Sequence, residues 1–293
     1  MTLARMNRAA LFAIALACAL VPPAHGSQQE AGPRAGDVYE ISTEQLWSEN
    51  SGEGSDGSSQ SRDVTIERVI AVRDEGIELE FDLPADASAE NRVAIWQFPL
   101  RVLRPSNGPL RLLNRPELEA RVDGWLEAGS IPREACGRWV FTWNAFQIQC
   151  DAQAALDAMA ALDLGGLDLR DGAPYSDPDG LGTAALRRQA GGPDFATFVA
   201  RMEVDPEAIR RQRIRTDTIL SDMLGPSAES PPDPGRRAAE RISGTITVTF
   251  ETGAELRRRT RVMELRIEMP DGVRESQTFT DRTERRLVSP SAD

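Results

Sequence analysis

The sequence predicts an α+β protein: a mainly antiparallel, curved β-sheet, of which a half-open barrel is one form, with a helical middle section. Three observations predict it. Residues 64–83 and 242–288 alternate apolar and polar side chains and are broken by short turns, the mark of antiparallel hairpins. Between them, residues 114–129, 151–162 and 205–224 carry helix-start residues and apolar side chains at helical spacing. Strands, then helices, then strands again place both ends of the chain in one sheet around a helical centre.

The 293 residues suffice for one large domain or two modest ones. Residues 1–26 read as an export signal. Arg5 and Arg8 precede an apolar run over residues 9–21, short of the ~20 residues that span a bilayer, and Pro22-Pro23 ends it. Ala24-His25-Gly26 places small residues at −3 and −1, so the expected cut falls between Gly26 and Ser27. A lipid anchor on Cys18 is disfavoured, because Ala15 stands where an aliphatic residue normally precedes the modified cysteine. Cleavage would remove His25, the sole histidine, and take the net charge from −12 to −14 as Arg5 and Arg8 leave. It would also leave Cys136 and Cys150 as the remaining cysteines. In an oxidising compartment they are expected to form a disulfide, closing a loop of about 15 residues and contributing about 3 kcal/mol in the chain-entropy model. The absence of Lys beside frequent Ala, Arg and Gly suggests a GC-rich bacterial source, so the periplasm is the expected location and the extracellular space the alternative.

Residues 27–36 read as a flexible tail, 37–288 as one α+β domain and 289–293 as a C-terminal tail. Residues 37–47 are expected to be a strand, with Val38, Ile41 and Leu46 as its apolar points. Residues 48–61 are acidic and Gly/Ser-rich, the composition of a flexible loop. Val64, Ile66, Ile70 and Val72 alternate with polar neighbours up to a turn at Asp74-Glu75-Gly76; Ile77, Leu79, Phe81 and Leu83 return, giving a hairpin with one wet face. Arg68 falls in phase with the first apolar set, as a strand-end residue or a buried charge needing a partner. Residues 92–98 and 110–113 suggest short strands. Asn114 and Pro116 open a helix that Gly129 stops, with Leu118, Val122, Trp125 and Leu126 on one face. Residues 136–150 alternate aromatics, suggesting a short hairpin turning at Asn144-Ala145 or one long bent strand. Asp151 caps an Ala-rich helix carrying Leu156, Met159 and Leu162. Residues 167–169 are a candidate strand, Asp205-Pro206-Glu207 opens a helix to Leu224, and residues 227–235 form a Pro-rich connector. The last section is a three-strand meander, its final strand polar on both faces as suits a sheet edge. This order resembles, in architecture alone, the half-open β-barrels of periplasmic lipoprotein carriers; no family motif accompanies it.

The 46 acidic residues against 34 basic ones weigh against general nucleic-acid or anionic-membrane binding, and the absence of Lys excludes pyridoxal phosphate chemistry and a Walker-type phosphate loop. Without histidine no Ser-His-Asp or Cys-His site assembles, and two oxidised thiols leave zinc poorly served. No cofactor, metal or catalytic residue is expected. Asp177-Pro178-Asp179-Gly180 has the opening of a calcium loop, but Leu181 and Arg188 fall where an EF-hand needs oxygen ligands, so a turn is the better reading. Arg257, Arg258, Arg259 and Arg261 cannot form one patch on a strand, since Arg258 points away from the others. Trp139, Phe141, Trp143 and Phe146 could line a ligand pocket or pack as core beside the disulfide. The function expected is therefore a non-enzymatic envelope protein, a binding or carrier module for an apolar ligand or an envelope partner. A carboxylate-only glycan hydrolase and an assembly subunit of an envelope complex are the alternatives.

Overall fold

The computed structural model describes residues 32–51, 56–141, 145–192, 195–224 and 234–289. The export signal with its cut, Cys18, residues 27–31 of the N-terminal tail, Trp143, Gly225, residues 227–233 of the connector and residues 290–293 lie outside the described residues.

The first strands are β1 (Val38–Ser51), β2 (Asp56–Arg73) and β3 (Gly76–Asp82), followed by helix α1 (Ala89–Ala94), β4 (Leu100–Pro105) and β5 (Arg111–Leu112). The middle holds α2 (Arg115–Ala128), β6 (Trp139–Phe141), β7 (Ala145–Gln147), α3 (Ala152–Leu162), β8 (Pro174–Ser176), β9 (Thr183–Ala185), β10 (Arg187–Gly191), β11 (Phe195–Glu203), α4 (Pro206–Leu224) and α5 (Pro234–Ala238). The meander β12 (Arg241–Gly253), β13 (Leu256–Glu268) and β14 (Arg274–Ser289) completes the chain. Ten strands form one sheet in the order β10-β11-β12-β13-β14-β1-β2-β3-β4-β5, and β6-β7 and β8-β9 form two small ones. Every pairing is antiparallel, and the β14–β1 pair joins the two ends of the sequence. Among the described residues β10 and β5 do not pair, so the sheet is open.

One face of the sheet is covered. Tyr39, Ile41, Leu79, Phe81 and Val102 meet Leu118, Val122 and Leu126 of α2 and Leu156 of α3 in one apolar cluster. Phe198, Ile246, Val248, Phe250 and Met263 meet Leu186 and Ile209 in a second. The opposite face is wet, with Ser243, Thr247, Thr249, Glu264 and Arg266 turned outward from the strands whose other side is buried. The caps follow the sequence: the Asp151 carboxylate accepts from the Gln153 N–H to start α3, and Gly129 closes α2. Asn114 stands at the head of α2, but its side chain bridges Arg101 N–H and the Pro99 carbonyl instead of capping. Gly76 is needed at the first hairpin turn. Its φ is +145°, and a Cβ there would meet the Arg104 carbonyl oxygen at 2.1 Å. The Cys136–Cys150 disulfide forms, and it spans the base of the β6-β7 hairpin.

Several expectations are corrected. Residues 48–51 and 56–61, read as a loop, extend the β1-β2 hairpin, because Asn50 pairs with Asp56 and the ladder continues without interruption. Backbone pairing to an existing strand outweighs the low β-propensity of Ser and Gly here. The stretch 92–98 is no strand. Ser88 caps a helical turn there, accepting from the Asn91 N–H, and the strand follows at Leu100–Pro105. Residues 167–169 are not strand either; the pairing falls at β8 and β9. β2 presents Thr65, Glu67 and Val69 to the core and turns Ile66, Arg68 and Ile70 outward, the reverse of the apolar alternation. Arg68 meets Glu80 and Asp82 on that outer face, each at 3.4 Å. Finally, β14 is an interior strand, paired on both sides, and its inward polar residues are satisfied by charge partners.

The inversion of β2 is explained by Glu67. Its side chain is 0 % exposed, and it accepts from Arg285 Nε at 3.0 Å and Nη2 at 2.7 Å. The Arg285 guanidinium carbon also lies 3.3 Å from the Tyr39 ring centroid. Arg104 approaches Glu67 at 3.8 Å and grips Asp163 through Nε at 2.9 Å and Nη2 at 2.5 Å. Burial works to lower the Arg285 pKa, and the hydrogen bonds and charge of Glu67 outweigh it, so the guanidinium is held charged. Replacing Glu67 by Gln leaves Arg285 buried with half its partner gone. The expected loss is about 3–5 kcal/mol of unfolding free energy, read by urea titration, and the double replacement Glu67→Leu/Arg285→Met should recover most of it.

Candidate ligand-binding groove

Between the two apolar clusters the covered face of the sheet is polar. Its register sets Ser59, Trp47, Phe279 and Met263 side by side in one row, and Ser61, Gln45, Asp281 and Arg261 in the next. Gln212 of α4 and Asp179, in the segment after β8, stand beside these rows and enclose an open groove of about 570 Å³. The size is that of a small-ligand site.

Trp47 lies along the sheet rather than standing from it. A Cβ on Gly57 would come within 3.0 Å of its Cη2 and 3.1 Å of its Cζ3, so the six-membered ring rests where residue 57 has no side chain. Gly57 is therefore the seat of the indole. Trp47 is half-buried, as is Phe279 beside it, while Met263 is buried.

Arg261 stands at one end of the groove, and each of its three nitrogens donates to a carboxylate. Its Nε donates to Asp177 at 2.7 Å; Nη2 donates to Asp177 at 2.9 Å and to Asp179 at 2.8 Å; Nη1 donates to Asp281 at 3.3 Å. Burial works to lower the Arg261 pKa, and these three acids outweigh it and raise it. Burial works to raise the Asp177 carboxyl, and it is outweighed in turn. The Arg261 hydrogen bonds and charge, the Asp179 backbone N–H and the Arg259 charge hold Asp177 below the usual carboxylate range. Asp177 and Asp179, read from sequence as part of a turn, thus serve a guanidinium. Among the described residues no group of three or more His, Cys, Asp or Glu is placed to hold a metal ion.

One row beyond Trp47, Glu49 pairs across β1-β14 with Gln277, whose amide donates to Glu49 at 3.4 Å and also to Glu275. Burial and the charge of Glu275 raise the Glu49 carboxyl. Arg213 of α4 bridges Glu275 and Glu240 at 3.2 Å each, and Arg237 joins Glu240 to Asp217.

Of the aromatic set read from sequence, Trp139, Phe141 and Phe146 stand elsewhere. Trp139 is half-buried on β6, while Phe141 and Phe146 fall on the hairpin strands β6 and β7, with Val140 opposite Phe146 in register. Trp139 is not among the residues lining the groove. Trp47 and Phe279 were missed because Trp47 ends the predicted strand and Phe279 lies on the strand expected at the edge. One signal was present: Tyr39, Ile41 and Trp47 share the same parity along β1 and so the same face. Arg257, Arg259 and Arg261 do point away from Arg258, which binds Glu251 and Glu284 on the wet side.

No protein-family model and no curated protein matches this chain. Among solved structures, the crystal structure of Neisserial surface protein A is similar at 7 % sequence identity and a TM-score of 0.22, covering 85 % of this chain and 96 % of that one. A likeness so weak says nothing of this chain's role.

Because its pKa is depressed from 3.8, Asp177 contributes stability that is complete above that value and is lost as pH falls through the lower folded-state value. Asp177→Asn should lower stability at neutral pH by roughly 1–3 kcal/mol. It should also flatten the acid limb of stability below about pH 4. Urea unfolding at stepped pH reads both.

Proposed function

We propose that the protein is an exported, non-enzymatic binding module of the bacterial envelope, with its sheet curving as a half-open barrel around a groove that holds a ligand. The groove over the Trp47 and Gln45 rows carries this reading. It lies on the covered face at the margin of the second apolar cluster, which reaches it through Met263 and Phe279, and it mixes exposed amides and hydroxyls with an aromatic floor. The acids lining it, Asp179 and Asp281, are held by Arg261 and are poorly placed to move protons. The Cys136–Cys150 disulfide supports an oxidising compartment, and periplasmic residence follows from the export signal read in residues 1–26. Among the described residues no helix is long and apolar enough to cross a membrane.

The test is native mass spectrometry of the protein released gently from its own envelope. A bound adduct, lost on Trp47→Ala with the fold intact, is the expected outcome; consistently empty protein would count against a resident ligand.

One observation favours a second reading, a carboxylate-only glycan hydrolase. Glu49 is raised by burial and by neighbouring Glu275, the pattern of a proton-donating acid beside a second carboxylate. On that reading, activity on envelope polysaccharide would follow a bell-shaped pH profile and fall by about a hundredfold or more on Glu49→Gln. An inactive parent protein across a broad glycan panel would remove it.

A further inference from the structure

Resting on the binding-module reading, we infer that the groove takes a neutral or amino-bearing saccharide, stacked on the indole face of Trp47. Four features of the groove point to this class rather than to a lipid, an anion or a peptide.

The first is the posture of Trp47. Its six-membered ring lies where Gly57 has no side chain, and the half-buried indole lines the groove, an aromatic surface on which a sugar ring could stack. The face of an aromatic ring carries the negative lobe of its quadrupole, and the axial C–H groups of a pyranose are weakly positive. Phe279 and Met263 continue the same row, so the apolar floor is a single narrow line of three side chains.

The second is what flanks that line. Ser59 and Ser61 on β2, Gln45 on β1 and Gln212 on α4 offer hydroxyls and primary amides, groups that both donate and accept. Such a ring matches the paired donor–acceptor character of sugar hydroxyls. An acyl chain entering here would desolvate those groups without satisfying them, at a cost of about 1–3 kcal/mol each.

The third is charge. All three nitrogens of Arg261 already donate to Asp177, Asp179 or Asp281, so its charge is countered and an anionic headgroup would have to compete with three carboxylates. With Arg259 and Arg261 set against three aspartates, the local balance is slightly negative. Neutral sugars are tolerated there and an amino sugar is favoured.

The fourth is the backbone beneath. An extended peptide binds a sheet by adding to an unpaired edge, whereas the floor here is the interior strands β1, β14 and β13, each paired on both sides.

The experiment is isothermal titration of the mature chain with neutral and amino-sugar tetrasaccharides, chitotetraose, its deacetylated form and cellotetraose, and in parallel with dodecanoate. The expected result is saturable binding of at least one saccharide that changes little at high salt. It should weaken by about tenfold or more in Trp47→Ala, a difference of about 1.4 kcal/mol. Gly57→Val removes no lining residue but lifts the indole from its seat, and it should weaken binding likewise while its urea midpoint shows the fold retained. Dodecanoate binding that depends on Trp47, with no saccharide bound, would overturn the saccharide assignment and leave the groove as a ligand site. Saccharide binding insensitive to both Trp47→Ala and Gly57→Val would overturn the placement of the sugar on the indole. Silence with every probe, together with empty protein from the envelope, would overturn both the saccharide and the groove.

Discussion

The architecture depends on guanidinium groups buried or half-buried on the inner face of a β-sheet, of which Arg104, Arg261 and Arg285 are matched there by carboxylates. β13, β14 and β1 run through the middle of the sheet, and their inward rows carry Arg257, Arg259, Arg261, Asp281 and Arg285 where a conventional core would place aliphatic side chains. A charge in that position is costly unless paired, and the pairing partners come from every part of the chain: Glu67 from the first hairpin, Asp163 and the Leu164 carbonyl from the middle section, Asp177 and Asp179 from the turn after β8. These long-range bonds fix how the irregular middle section sits on the sheet. At these positions Arg is the fitting cation, because its planar fork can donate to two carboxylate oxygens at once, as Arg285 does to Glu67 and Arg261 to Asp177.

The same belt divides the hydrophobic core. On one side, α2 and α3 pack their apolar faces on β1 to β5; on the other, β11 to β13 pack against Ile209 and the strands of the middle section. Two smaller cores separated by a polar strip differ physically from one continuous core. The strip is specified by hydrogen-bond geometry and not by area, so it holds register tightly, and it leaves a stretch of the covered face that no apolar segment has reason to bury. The groove over Trp47 and Gln45 occupies the margin of that stretch, bordered by Met263 and Phe279 of the second core. Its wall of ion-paired acids and its aromatic floor thus follow from the arrangement that organises the fold.

How far the sequence reading reached is clearest from individual elements. The first hairpin, α2, α3, α4 and the last three strands stand where periodicity and capping residues put them, because each of those signals is local: an Asp before an Ala-rich run, a Gly after the last buried Leu, an alternation of period two. The faces of β2 and the place of β14 were misread for one shared reason. Alternation shows which residues lie together but not which side meets the core, and the usual tie-breaker assigns the apolar side inward. Here Glu67 and Arg285 take the inward positions because each supplies the other's counter-charge, and neither is interpretable alone in a linear sequence. Residues 48–51 and 56–61 were misread by composition; their strand character comes from the β1-β2 ladder and, for 48–51, from β14 beyond it.

What the sequence determined by itself is the inventory: the first hairpin, the three longer helices and the last three strands, two cysteines at a spacing that one bridge can close, a single histidine near the start and no lysine. Tertiary structure alone decided which charges are buried, that the two ends of the chain meet as β1 and β14, and that Trp47 rests on Gly57 beside Phe279, a residue 232 positions away. The physical reason is range. Propensity, capping and period act over a few residues, whereas the pairing energy of a desolvated ion and the seat of an aromatic ring belong to groups that only the assembled sheet brings within reach of one another.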